Sequence, residues 1–200
     1  MPLKFGDTIP NSQKIILHLC AKEGSDSLPY REAGYDVRII GEEIGVENYS
    51  PPQDVYGIIA NPPCTHFSIA RTNAKTPRDL KEGMRLVKEC LRIIWNCQYK
   101  EQGAMRTSPL KFWAIENPAT GLLKWFLGNP NFVYSHMEYG GSLTKRTGLW
   151  GYFNHPKRPL LYNPLPPRHT LGHIEKTSHD MQTRSRCPIN FAKAFYEANP

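Results

Sequence analysis

Four short apolar runs, set apart by turns and helix-period stretches, constrain this chain more than any other feature. They are Lys14-Ile15-Ile16-Leu17-His18-Leu19, Asp36-Val37-Arg38-Ile39-Ile40, Val55-Tyr56-Gly57-Ile58-Ile59-Ala60 and Phe112-Trp113-Ala114-Ile115. Each is strand-length and rich in branched or aromatic residues, and the third is continuously apolar, as strands buried on both faces are. Ser27 to Ala33 reads as a helix with Pro29 in its first turn, and residues 41–53, with Pro51-Pro52, as loop. After Thr76-Pro77, the residues Leu80, Met84, Val87, Leu91, Ile94 and Gln98 recur at spacings of four and three. That spacing draws one face of a helix about five turns long, with Cys90 and Cys97 beside it as core residues. Gly121 to Leu127 predicts a short helix, and Phe132–Met137 and Arg146–Phe153 two late strands. Residues 154–188 read as irregular basic chain, before a closing helix from Ile189 to Ala198 with Phe191, Ala192, Phe195 and Tyr196 inward. Strands alternating with helices imply one α/β domain over residues 1–200: a mostly parallel sheet, right-handed crossovers and helices on both faces. Ligands of such sheets bind outside the carboxyl ends of the strands, where Gly24, Cys64 and Glu116 all fall.

The formal charge of +7 favours a polyanionic partner, nucleic acid first. Basic residues recur near these turns: Arg71, Lys75 and Arg78, then Lys145 and Arg146, then Arg184 and Arg186. The five cysteines are scattered and odd in number, which suggests reduced thiols in the cytoplasm. No run of about 18 apolar residues and no signal-peptide pattern is present, so no membrane partner is expected.

Pro62-Pro63-Cys64 follows the third run, and Glu116-Asn117-Pro118 follows the fourth. A thiol and a carboxylic acid at neighbouring strand exits have the chemistry to attack ring carbon 6 of a pyrimidine. Cytosine accepts a thiolate there when an acid protonates or hydrogen-bonds ring nitrogen 3, and the adduct is an enamine, nucleophilic at carbon 5. Cys64 is then the nucleophile and Glu116 the acid. The prolines stiffen the loop, and Arg71, Arg146 or a helix amino end would lower the thiol pKa.

At these residues the chain resembles the DNA cytosine carbon-5 methyltransferase family, in pattern its compact, phage-type members. Ala60 through Ser68 is similar to the family's Pro-Pro-Cys loop with its following Phe-Ser pair, and Ile115-Glu116-Asn117-Pro118 to its Glu-Asn-Val motif. Tyr139 to Gly151, with Lys145-Arg146, is similar to the later basic motif, with leucine where the family has glutamine. The passage from His18 to Val37 resembles the opening strand and glycine loop, and Pro188 to Asn199 the closing helix. The resemblance implies a Rossmann-like class I methyltransferase fold without a separate target-recognition domain, and methyl transfer from S-adenosylmethionine. It implies a donor site at Leu19, Cys20, Gly24, Ser25, Glu42 and Pro63, with Glu42 or Glu43 on the ribose hydroxyls. Substrate contacts fall on Ser68, Arg71, Asn117, Lys145 and Arg146. The implied partner is duplex or single-stranded DNA, or a cytosine nucleotide; a duplex target would have to be flipped out.

The chain departs from the family at the glycine loop. His18 replaces the acidic residue, and Ala21 and Lys22 stand around the first glycines, so a lysine is expected to obstruct the donor site or charge it. A related cytosine modification therefore stays open: carbon-5 alkylation, hydroxymethylation or deamination, with another donor or none. Asn61-Pro62-Pro63 also matches the motif of amino-group methyltransferases, with Cys64 in place of their stacking aromatic. A catalytically inactive DNA-binding relative is a further alternative. His169, His173 and His179 have one zinc-protease spacing, but Thr170 replaces the general-base glutamate and Gly172 weakens a helix, so no metal is expected.

Overall fold

The computed structural model describes residues 9–69, 74–100, 103–107, 109–141, 145–159 and 186–200. The elements are β1 (Ile15–Leu19), α1 (Leu28–Glu32), β2 (Asp36–Ile40), β3 (Val55–Ala60), α2 (Leu80–Gln98), β4 (Phe112–Pro118), α3 (Lys124–Leu127), β5 (Phe132–Ser135), β6 (Arg146–Tyr152) and α4 (Ile189–Ala198). They form an α/β structure around a six-stranded mixed sheet of order β2-β1-β3-β4-β6-β5.

The apolar runs become the sheet's centre because their alternate residues feed two cores. Leu17, Leu19, Ile58, Ala60 and Ile115 meet Val87, Cys90, Ile93, Ile94 and Cys97 of α2 on one face. Ile16, Ile59, Phe112 and Ala114 meet Tyr30 of α1 and Phe191 and Phe195 of α4 on the other. Cys90 and Cys97 sit inside the first core, and the buried stripe of α2 runs through Gly83, Val87, Cys90, Ile94 and Cys97. It is thus rotated from the expected face, and Leu80, Met84 and Leu91 lie at its margin. The Asp79 side chain caps α2 by accepting from the Glu82 amide at 2.9 Å.

The expectation of a mostly parallel sheet needs one correction. β2, β1, β3 and β4 are mutually parallel, but β6 runs antiparallel to both β4 and β5. Only residues 136–145 link β5 to β6, too few for a helical crossover, so the second strand has to turn back. The reversal brings the start of β6 to the edge where β1, β3 and β4 end, with Pro118 opposite Thr147. β4 also runs three residues further than its apolar run, so Glu116 and Asn117 are strand residues. The pleat therefore sends Glu116 to the α1/α4 face, with Phe112 and Ala114, and Asn117 to the α2 face.

Candidate active site

The loop after β3 is fixed at both ends while its thiol stays exposed. The Asn61 amide donates to the Leu19 carbonyl at 2.9 Å, and the Cys64 carbonyl accepts from the amides of Phe67 (3.0 Å) and Ser68 (2.8 Å). Phe67 is fully buried and anchors the turn. Arg78 donates to the carbonyls of His66 (2.6 Å) and Ser68 (3.0 Å), and the Asp79 amide donates to His66 Nδ1 at 3.0 Å. Arg78, read from the sequence as a DNA-facing cation, thus clamps the loop to the start of α2. Asn117 ties the two motifs together: its Nδ2 donates to the Pro62 carbonyl at 2.9 Å from a fully buried position.

Glu116 and Cys64 are joined electrostatically by one residue. Lys145 Nζ lies 3.3 Å from Glu116 Oε1, with the side chains 26% and 16% exposed. Burial alone would lower the lysine pKa, but Glu116 and then Cys64 outweigh it and hold it above its ordinary value. Lys145 reaches this edge because β6 is reversed, and the structure around it is tightly held. The His136 amide donates to the Lys145 carbonyl at 3.2 Å, and the buried ring stacks on Tyr134 with Nε2 3.2 Å from Thr147 Oγ1. Burial, with Lys145 nearby, drives the His136 pKa down to about 3, so the ring is neutral. The Thr147 hydroxyl can serve either tautomer of the neutral ring, as donor or as acceptor. Arg146, by contrast, is exposed on the outer side of the same strand.

A second polar group stands at the exit of β1. His18 is buried, its Nδ1 2.8 Å from Ser27 Oγ and its Nε2 2.8 Å from Asn61 Oδ1, with Asp26 at 3.9 Å. Burial lowers its pKa against the pull of Asp26 and the Asn61 bond. Asp26 and Glu116 in turn face Cys187, whose thiol is held protonated by burial and by those carboxylates. Asp26 thus brings a carboxylate to the exit of β1, where the strand itself carries His18.

The expected donor residues divide. Gly24 takes the left-handed conformation (φ 73°) that its turn requires, and a Cβ there would lie 2.7 Å from Ile39 Cδ1. Ser25 Oγ accepts from the Cys187 amide at 3.3 Å. Leu19 is fully buried, and Cys20 turns its sulfur to Cys90 Sγ at 3.7 Å, so neither side chain faces the crevice. Pro63 and Glu42 are exposed. Lys22 is exposed too, and its neighbour Glu23 is paired with Arg186 at 2.8 Å. Between Asp26, Glu116, Cys187 and the α4 phenylalanines the space closes to about 10 Å³, room for one water. That volume does not admit a donor molecule.

Arg71, Arg184, His169, His173 and His179 lie outside the described residues. Among the described residues no group of histidines, cysteines or carboxylates is arranged to hold a metal ion, and no helix is long and apolar enough to cross a membrane. Compared with known protein families and with curated proteins, the chain matches no family model and no curated sequence.

Proposed function

We propose that this protein modifies cytosine in DNA at ring carbon 5, by methyl transfer through a covalent adduct between Cys64 and ring carbon 6. The observation that carries the reading is the meeting of the two motifs at the carboxyl edge of the parallel strands: Asn117 Nδ2 bonds the Pro62 carbonyl, two residues before Cys64, and the adjoining Glu116 is paired with Lys145. The thiolate is the reactive form of Cys64, and the positive charge of Lys145 favours that form. Glu116 takes up a proton, for which Lys145 is the adjacent source, and passes it to ring nitrogen 3 as the thiolate adds to carbon 6. Carbon 5 then becomes nucleophilic, and after substitution its proton passes to a water or hydroxide base as the electron pair returns to the ring and expels Cys64. When bound, S-adenosylmethionine supplies an electrophilic methyl group; Glu42, Asp26 and the turn at Gly24 would hold it. The run of parallel strands with helices on both faces agrees with the Rossmann-like methyltransferase type that the motifs resemble.

An amino-group methyltransferase would need the Asn61 side chain to grip its target amine. Its oxygen is engaged instead by buried His18, which favours the carbon-5 reading.

The test is an oligonucleotide containing 5-fluorocytosine, in which the fluorine blocks release of the cysteine. With S-adenosylmethionine present, the wild-type protein forms a complex stable to denaturation, Cys64→Ser forms none, and Glu116→Gln forms it about 100-fold more slowly. Amine methylation that survives Cys64→Ala, with no trapped complex, overturns the proposal.

A further inference from the structure

An exposed aromatic and a small basic groove stand beside this crevice without a role in the chemistry. α3 is short but firmly held. The Leu122 amide donates to the Phe67 carbonyl at 2.9 Å, and the Gly121 amide to the Pro118 carbonyl at 2.9 Å. Leu123 is fully buried, and the rings of Phe126 and Phe67 meet edge to face at 6.3 Å. Trp150 Nε1 fixes the far end by donating to the Gly128 carbonyl at 2.8 Å. α3 is thus attached both to the loop that carries Cys64 and to the strand end that carries Glu116.

On this fixed support Trp125 is 76% exposed, the most exposed large apolar side chain among the described residues. Its neighbour on α3, Lys124, lines a groove of about 340 Å³ together with Thr120, Asn129 and Arg146 over Pro130 and Val133. Both charged groups in its lining are cations. The groove is tied to the strand end that carries Glu116, because the Ala119 amide, directly after Pro118, donates to the Arg146 carbonyl at 3.0 Å.

From this juxtaposition we infer that α3 is a docking platform for an unpaired nucleic-acid strand, with Trp125 stacking on a base next to the target cytosine and Lys124 and Arg146 holding the adjoining phosphate. This rests on the proposed cytosine chemistry and names the form of its substrate. An indole standing out from the surface has a whole face for a base, and a base is available for stacking only where the strand is unpaired. The groove is the size of a single nucleotide, not of a duplex. Its cations are complementary to phosphate, and its polar rim carries Thr120 and Asn129.

The experiment uses the full chain and a dye-labelled 12-nucleotide single strand containing one cytosine, followed by fluorescence anisotropy from 50 to 200 mM salt. Trp125→Ala weakens binding about tenfold and leaves the salt dependence unchanged, while Trp125→Phe restores most of it. Lys124→Ala and Arg146→Ala each reduce the slope of log affinity against log salt by about 0.7. The duplex of the same sequence binds more weakly than the strand. The inference is overturned if Trp125→Ala binds the strand as wild type does, or if it weakens strand and duplex equally. The 5-fluorocytosine trap separates the two readings. Trapping by wild type with no effect of Trp125→Ala on affinity leaves the nucleophile standing without the platform. The expected anisotropy changes without trapping leave the platform standing without the nucleophile.

Discussion

Asn117 offers the sharpest test of how the two motifs are coupled, because its two side-chain atoms act in opposite directions. Its Nδ2 satisfies the Pro62 carbonyl at 2.9 Å, while its buried Oδ1 accepts from no protein donor among the described residues. Asn117→Leu keeps the branching at Cγ and removes both atoms. It strands the Pro62 carbonyl, at a cost of about 1–3 kcal/mol, and abolishes an unsatisfied acceptor of similar cost. The two changes offset, so folded stability should move by less than about 1 kcal/mol. The Pro-Pro-Cys loop nevertheless loses its tether to β4, and covalent trapping of 5-fluorocytosine should fall about 100-fold, as a misplacement of about 1 Å produces. Asn117→Asp does the reverse to stability. It sets a buried carboxylate against the Pro62 carbonyl, costing about 3 kcal/mol or more at pH 8. Its folded pKa is raised, so the lost stability returns as the pH falls and the carboxyl gains a proton to donate. Urea unfolding at pH 8 and pH 5, with trapping rates for both variants, provides the measurement. A leucine variant that loses more than about 3 kcal/mol, or an aspartate variant as stable as wild type at pH 8, would refute the reasoning.

Lys145→Met should slow trapping at pH 7 about 100-fold, whereas Lys145→Arg keeps most of the rate. Because the folded pKa of Lys145 is raised, its contribution to stability is full below about 10.5 and lost as pH rises through the higher folded value; the methionine variant lacks that alkaline loss. His136 has the opposite sign. With a folded pKa of about 3, its contribution is full above about 6.5 and lost at up to about 1.4 kcal/mol per pH unit as the pH falls towards 3. Urea midpoints between pH 7 and 4 should therefore fall less steeply in His136→Phe than in wild type. Gly57→Ala would set a Cβ 2.4 Å from the buried Phe112 ring at the centre of the sheet. The expected loss is about 1–3 kcal/mol, seen as a melting point lower by roughly 2–12 °C; an unchanged midpoint contradicts the packing at that strand.

The parts of the fold that depend on local pattern were legible in the sequence. β1, β2 and β3 follow their apolar runs nearly residue for residue, and α2 follows its period. β4 was read too short because Glu116 and Asn117 break the apolar run while keeping the ladder with Leu149 and Gly148. The reversal of β6 was missed because strand direction is a property of the connection and leaves no mark on the strand. Cys64 and Glu116 stood out because each follows a buried strand. Asp26 and Cys187 did not, since they are separated by most of the chain and only the packing of α4 on the first loop brings them together. Some features read as functional also have structural contacts. Arg78 clamps a turn, Arg186 pairs with Glu23, and Cys20 faces Cys90.

The docking of α4 on the loop after β1 has a consequence for the order in which this molecule becomes complete. The ribosome releases β1, the Asp26 turn, the Cys64 loop and β4 well before residues 187–198. Until those residues emerge, Tyr30, Phe112 and Tyr134 lack the aromatic partners that Phe191, Phe195 and Tyr196 provide. Over that interval the nascent chain carries an exposed thiol at Cys64 but not yet Cys187 or α4. Long-range contacts of this kind form late, after their loop-closure entropy has been met. The cavity between Asp26, Glu116 and Cys187 is thus among the last parts of the protein to exist, and a chain stopped short of α4 carries the tethered Cys64 loop without it.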